Sequence, residues 1–312
     1  MQALLDLPGG NWTILALFAL LLAGAGIWIW RRRKNETAPP RKDRDGRLSL
    51  WVDDHEIRYI DQGQGPVLVL VHGIGANLGT WRFVLPKLAE DFRVIALDLP
   101  GFGYSSKHPH QDYGLDAQAD RLNAFLDQLG IQKAFICGVS MGAAISLWAS
   151  KKRPERFARL VAMNPATSPR PSAFILKSMQ GFSHRLHPIV NEGLVRQILK
   201  YVVARRELIT NETVRLYLDP FLDGGHGVKT FVRATSVLLD RRLPYQLADL
   251  EIPTLIVWGE NDRLVPRSVV DALYRTLPSS EIVIHPTAGH HPMEDEPDWL
   301  VVQLTKFLKT SH

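Results

Sequence analysis

Ala134-Phe135-Ile136-Cys137-Gly138-Val139-Ser140-Met141-Gly142 decides the reading of this chain. An apolar run over 134–138 leads into a G-x-S-x-G pentapeptide, and a helical pattern over 141–153 follows at once. Strand, tight turn and helix in that order hold a serine on a strained elbow with its hydroxyl at the tip. Glycine suits positions 138 and 142 because a side chain at either would collide with the neighbouring strand or helix. The plain alternative is a serine that merely caps the next helix, and the rest of the chain decides between the two.

A serine hydroxyl attacks only when a base takes its proton, and that base has to be oriented by a carboxylate. Around such an elbow the chain order is serine, acid, histidine. Gly259-Glu260-Asn261-Asp262 follows an apolar run at 254–258, and Ala288-Gly289-His290-His291-Pro292 follows another at 281–285. Asp262 is the expected acid, because it lies three residues beyond Gly259 in a loop that closes at Pro266 and can reach over the strand tip. Glu260 reads as a solvated loop residue. The loop after 160–163, where an acid could sit instead, offers Asn164 and no carboxylate. His290 and His291 are adjacent and point different ways, so one triad takes one of them. His290 directly follows Gly289 and is the expected base; His291 is expected to be an ordinary surface or packing residue.

Acyl transfer also needs donors for an oxyanion, one of them the amide after the nucleophile. That assigns Met141, and the exposed turn His72-Gly73-Ile74-Gly75 supplies the amide of Ile74 as the second. His72 is expected to fix this turn by hydrogen bonding. Asp98, in Leu97-Asp98-Leu99-Pro100-Gly101, suits a turn-former.

Working outward, apolar runs at 67–72, 94–98, 134–138, 160–163, 254–258 and 281–285 do not alternate with polar residues. They read as parallel strands buried on both faces. Helical patterns at 80–90, 115–129, 141–153, 267–277 and 297–308 fall between them, and 48–61 reads as an antiparallel hairpin at the sheet edge. The expected fold is α/β, a mostly parallel sheet with helices on both faces, built from 48–164 and 244–312. Between them 165–243 has no strand pattern, only helical stretches such as 194–205 and 230–239, and is expected to form an inserted helical cap over the carboxyl ends of the strands.

The first thirty residues differ in kind. From Trp12 to Trp30 run nineteen residues without a charge, WTILALFALLLAGAGIWIW, about the length that crosses a hydrocarbon core as a helix. A cleaved signal peptide would need a cationic leader, and residues 1–11 carry only Asp6. Residues 31–47, RRRKNETAPPRKDRDGR, hold eight Lys or Arg against three Asp or Glu, a surplus equal to the +5 of the whole chain. That run reads as a basic juxtamembrane linker facing anionic headgroups. No basic face with interleaved aromatics accompanies it, so nucleic acid is not the expected partner. Because Arg31, Arg32, Arg33 and Lys34 follow the helix and no cation precedes it, the positive-inside rule places the catalytic domain on the cytoplasmic side. Ala16, Ala19, Ala23 and Gly26 share one helix face and permit a homodimer through the membrane, although small residues are common in membrane helices.

Over residues 48–308 the chain resembles the α/β-hydrolase superfamily. The resemblance rests on His72-Gly73-Ile74-Gly75, Asp98-Leu99-Pro100-Gly101, Gly138-Val139-Ser140-Met141-Gly142, Trp258-Gly259-Glu260-Asn261-Asp262 and Gly289-His290-His291-Pro292-Met293. With its membrane segment it looks like membrane-anchored monoacylglycerol lipases and related lysophospholipase or esterase members. That implies a lipid acyl ester as substrate and no metal or organic cofactor. A carbon–carbon bond hydrolase and a short-chain carboxylesterase share the triad; a non-catalytic binding protein would not need serine, acid and histidine in register.

Overall fold

The computed structural model describes residues 41, 42, 46–169 and 171–310. The apolar segment 12–30, with the membrane helix and the helix-mediated dimer expected there, lies outside them. Among the described residues no helix is long and apolar enough to cross a membrane.

Among the described residues nine strands form one sheet in the order β1-β2-β3-β5-β4-β6-β7-β8-β9. They are β1 (Arg41–Lys42), β2 (Leu48–Val52), β3 (His55–Gln62), β4 (Val67–Val71), β5 (Arg93–Leu97), β6 (Ala134–Val139), β7 (Phe157–Met163), β8 (Thr254–Gly259) and β9 (Ser280–His285). The first three join the sheet antiparallel and the rest pair in parallel. The basic linker expected over 31–47 is therefore interrupted, because Arg41 and Lys42 pair with Ser49 and Leu48.

Successive side chains on a strand point to opposite faces. Val69 and Val71 of β4 enter one core cluster, and Leu68 and Leu70 enter the other. The helices are α1 (Leu85–Leu88), α2 (Leu115–Gln128), α3 (Met141–Lys152), α4 (Pro171–Ser178), α5 (Glu192–Val202), α6 (Asn211–Leu218), α7 (His226–Ala234), α8 (Leu243–Gln246), α9 (Arg267–Thr276), α10 (Pro292–Asp295) and α11 (Pro297–Lys309). Helices α2, α3 and α9 cover the first core, and α1 and α11 cover the second. A fully buried side chain such as Phe125 or Leu304 contributes roughly 1.5–3 kcal/mol. Ten of the twelve residues of α3 are buried, so the helix behind Ser140 runs through the core.

Three departures from expectation have local causes. The helix expected over 80–90 is two short turns, a 3₁₀ turn at Leu78–Trp81 and α1. Pro86 cannot donate to residue 82, so the helix restarts with proline in its first turn. Strand β9 is half-buried because it closes one edge of the sheet. Within 165–243 the helix expected at 194–205 is α5, which begins where Asn191 Oδ1 accepts the Leu194 amide at 3.0 Å. The helix expected at 230–239 starts earlier, at His226, and ends at Ala234. Asp223 supplies the early start, accepting the Gly227 amide at 2.9 and 3.0 Å.

Candidate active site

Strand order reverses around β4, whose neighbours are β5 and β6, and such a switch point opens a crevice at the carboxyl ends of the strands. Ser140, Asp262, His290, Met141 and Ile74 all lie at that edge, just after the strands β6, β8, β9, β6 and β4. Ser140 directly follows β6 and adopts φ 56, ψ −120, a conformation that costs an L-residue of the order of 1–3 kcal/mol and is tolerated where the surroundings fix it. The fixing groups are backbone partners. Its amide donates to Met163 O at 2.9 Å, and its carbonyl accepts the amides of Ala143, Ala144 and Ala166 at 3.1–3.3 Å.

Both elbow glycines are demanded by contact. A Cβ on Gly138 would lie 2.4 Å from Gly142 O, and a Cβ on Gly142 would lie 2.3 Å from Val71 O and 2.4 Å from His72 O. Gly142→Ala should therefore lower stability by about 3 kcal/mol through overpacking against backbone. Urea unfolding checks this, and an unchanged midpoint would refute the close fit.

Asp262 and His290 meet. The Nδ1–H of His290 donates to Asp262 Oδ2 at 2.8 Å, and both side chains are buried. The other carboxylate oxygen of Asp262 accepts the amides of Leu264 and Val265 at 2.7 and 2.9 Å. Burial pushes this carboxyl up, but the His290 charge and bond, with those from Asn164 and Val265, outweigh it and hold it below the ordinary value. Glu260 is exposed, as expected.

Asn164 is the residue that sequence reasoning undervalued. It follows β7 next to the elbow, holds φ 42, and its Nδ2 donates to Asp262 Oδ2 at 2.6 Å and to Gly289 O at 3.3 Å. Positive φ is several-fold enriched at asparagine, so the residue type was the available signal. Its partner Asp262 lies 98 residues further along the chain, so the sequence around it shows only that no acid is present.

The Ile74 and Met141 turns face each other across the elbow. A Cβ on Gly73 would come within 3.2 Å of Ser140 Cβ. No described carbonyl accepts from the Ile74 or Met141 amide. His72 fixes its turn: Nδ1–H donates to Gly73 O at 2.7 Å and Nε2 accepts the Leu99 amide at 3.0 Å. Both ring nitrogens are used in the neutral form, and burial pushes the ring down to about 4. A lowered histidine pKa contributes stability that is present above its unfolded value near 6.5 and lost as pH falls towards 4. By pH 4 the loss from this ring reaches roughly 3 kcal/mol. Burial lowers His55 likewise, whereas Asp98, pushed up to about 6 by burial, titrates with the opposite sign. The His72 share is therefore read by difference: His72→Gln should flatten the fall in unfolding midpoint between pH 6.5 and 4, and a parallel curve would contradict it.

Asp98 turns out to be a buried anchor. Its carboxylate accepts the amides of Leu78 and Tyr104 at 2.6 and 2.8 Å. Of the two places expected for His291, surface or packing, the structure shows the second. It is buried, stacks on His290 with ring centroids 5.6 Å apart, and its Nδ1 pairs with Glu294 Oε2 at 2.9 Å. Tyr217 of α6 donates to the same carboxylate at 2.8 Å.

An α/β-hydrolase-fold family model matches residues 66–297. The chain belongs to the α/β-hydrolase family. This hydrolase is 30% identical to the uncharacterized hydrolase YugF of Bacillus subtilis (strain 168), over 80% of this chain and 94% of that protein. It is 30% identical to a 2-hydroxy-6-oxononadienedioate/2-hydroxy-6-oxononatrienedioate hydrolase of Pseudomonas putida, over 79% and 87%. Among solved structures it is similar to a membrane phospholipase A described as a bacterial virulence factor. That match has a TM-score of 0.73 and 26% identity, covering 96% of this chain and 98% of the other.

Proposed function

We propose that this hydrolase is a membrane-anchored serine carboxylic-ester hydrolase acting on lipid acyl esters: monoacylglycerols, lysophospholipids or phospholipids. The observation that carries the chemistry is the 2.8 Å bond from His290 Nδ1 to a buried Asp262, beside a serine on a strained elbow. With its proton held on Nδ1, the ring has its basic lone pair on Nε2. Ser140 Oγ gives its proton to that nitrogen and adds to the ester carbonyl carbon, while the amides of Ile74 and Met141 take the oxyanion. Collapse breaks the bond to the leaving alcohol, which receives the proton from His290. The acyl-enzyme on Ser140 is then cleaved by water through the same two steps, releasing the fatty acid.

Three observations support a lipid. The similarity to the membrane phospholipase A extends over nearly the whole chain. The apolar segment 12–30 and the basic run after it suit an anchor with the domain on the cytoplasmic side. The cap carries twelve Lys or Arg against six Asp or Glu between Pro165 and Tyr245, and exposes Phe174, Ile175, Phe182 and Ile189. A basic surface with projecting apolar side chains suits an anionic bilayer.

A second reading, carbon–carbon bond hydrolysis of a dienoate, is favoured by the similarity to the Pseudomonas putida hydrolase. One assay divides them: full-length protein on soluble short-chain esters, monoacylglycerol and lysophospholipid micelles, and a 2-hydroxy-6-oxo-dienoate. Serine-dependent turnover that rises with acyl-chain length is expected. Turnover of the dienoate alone would reverse the choice. Protease added to sealed cells should spare the C-terminal domain until lysis; digestion in intact spheroplasts would overturn the orientation.

A further inference from the structure

The turn that carries the base is gripped from two sides. On the sheet side its carbonyls are taken: Ala288 O accepts the Asn261 amide at 3.0 Å, and Gly289 O accepts Asn164 Nδ2 at 3.3 Å. On the cap side its amides are taken. His290 N–H donates to the carbonyl of Val202, the last residue of α5, at 2.9 Å. Gly289 N–H donates at 2.8 Å to Oδ2 of Asp295, whose side chain is fully buried.

The same carboxylate reaches into the cap. Asp295 accepts the Arg205 amide at 3.0 Å on Oδ1 and the Ala204 amide at 3.0 and 3.1 Å on its two oxygens. Arg205 Nη1 adds a bond to Asp295 O at 3.2 Å. Helix α5 has ended at Val202, so the amides of Ala204 and Arg205 have no helical carbonyl to take, and a charged acceptor binds each about twice as strongly as a neutral one. The approach is close: a Cβ on Gly289 would lie 2.9 Å from Ala204 N, 3.0 Å from Val202 O and 3.1 Å from Asp295 Oδ2.

We propose that Asp295 is a positioning residue for the reaction: it clasps cap residues Ala204 and Arg205 to the Gly289–His290 turn, so that docking of the cap and placement of the His290 ring are one event. The proposal rests on His290 being the base. Asp295 touches no reacting atom. Its effect runs through the two amides that set where the imidazole projects between Asp262 and Ser140. A shift of the ring by about 1 Å would cost roughly 10²-fold in rate. A cap lifted at the end of α5 releases Gly289 and His290 together, so the enzyme with that end of its cap undocked is also an enzyme with a misplaced base.

Two variants loosen the clasp by different means in the full-length protein. Asp295→Asn turns one acceptor oxygen into a donor facing an amide, and Gly289→Ala wedges a methyl group between turn and cap. Each should slow fluorophosphonate labelling of Ser140 and lower kcat by roughly 10²-fold with a smaller change in KM. The acid limb of the pH–rate profile should move to lower pH, because a displaced imidazolium loses its partner Asp262. A merely structural role would cut the folded fraction and leave the rate per folded molecule and the profile unchanged; that result would overturn the proposal. In the unaltered protein, hydrogen exchange at Gly289, His290, Ala204 and Arg205 should proceed as one cooperative unit, and independent exchange of the two segments would also overturn it, whether or not the variants fold. Ser140→Ala run in parallel separates the two levels. If its labelling persists, the serine-hydrolase reading fails; if it is lost while Asp295→Asn labels normally, only the clasp fails.

Discussion

Ser140→Ala should lower kcat by at least about 10³-fold on any ester the unaltered protein cleaves, because triad members act as a unit and removing one removes the covalent route. The loss should be catalytic. The bonds that hold the elbow use the backbone of residue 140, from its amide to Met163 O and from three later amides to its carbonyl, and alanine keeps them all. Unfolding midpoint should therefore stay close to that of the parent while turnover collapses. Steady-state kinetics beside a urea titration checks both, and activity within tenfold of the parent would remove Ser140 from the mechanism.

Asp262→Asn should cost about as much, of the order of 10⁴-fold in kcat. Its Oδ2 now accepts from two donors at once, Asn164 Nδ2 and His290 Nδ1. Its Oδ1 accepts two backbone amides. An asparagine can offer one oxygen to one of these pairs and must point N–H groups at the other. If the amide nitrogen faces His290, the ring binds it through Nδ1 as acceptor, and the proton moves to the nitrogen that should receive it from serine. The carboxyl is held below its usual range, so its stabilising contribution is present above the ordinary carboxylate value and fades only as pH falls through the lowered one. Loss of activity at mildly acidic pH is accordingly not caused by protonation of Asp262. A kcat within tenfold of the parent would show that the His290–Asp262 bond does not control the ring.

The elbow was legible because its sequence signature is local, an apolar strand, a glycine on either side of the Val139-Ser140-Met141 turn and a helix with no polar face, although the backbone that demands Gly142 belongs to Val71 and His72, far away in the chain. The parallel strands were legible because burial on both faces erases alternation. At Pro86 the apolar periodicity continues across a break in the helix that the proline imposes. The supporting shell was not legible. Asn164 meets Asp262 across 98 residues of sequence, Asp295 meets Ala204 across 91, and Tyr217 meets Glu294 across 77. Nothing in the local composition marks such pairs. His291 shows the same limit, since Tyr217 of α6, which packs against it, is 74 residues away in the chain.

Whether Ser140 is the nucleophile can be read by mass spectrometry after reaction with a fluorophosphonate. The expected result is a single covalent adduct on the peptide containing Gly138 to Gly142, located at Ser140 and absent after Ser140→Ala. Folded protein that takes up no adduct, or takes it up at another residue, would show that Ser140 is not the nucleophile.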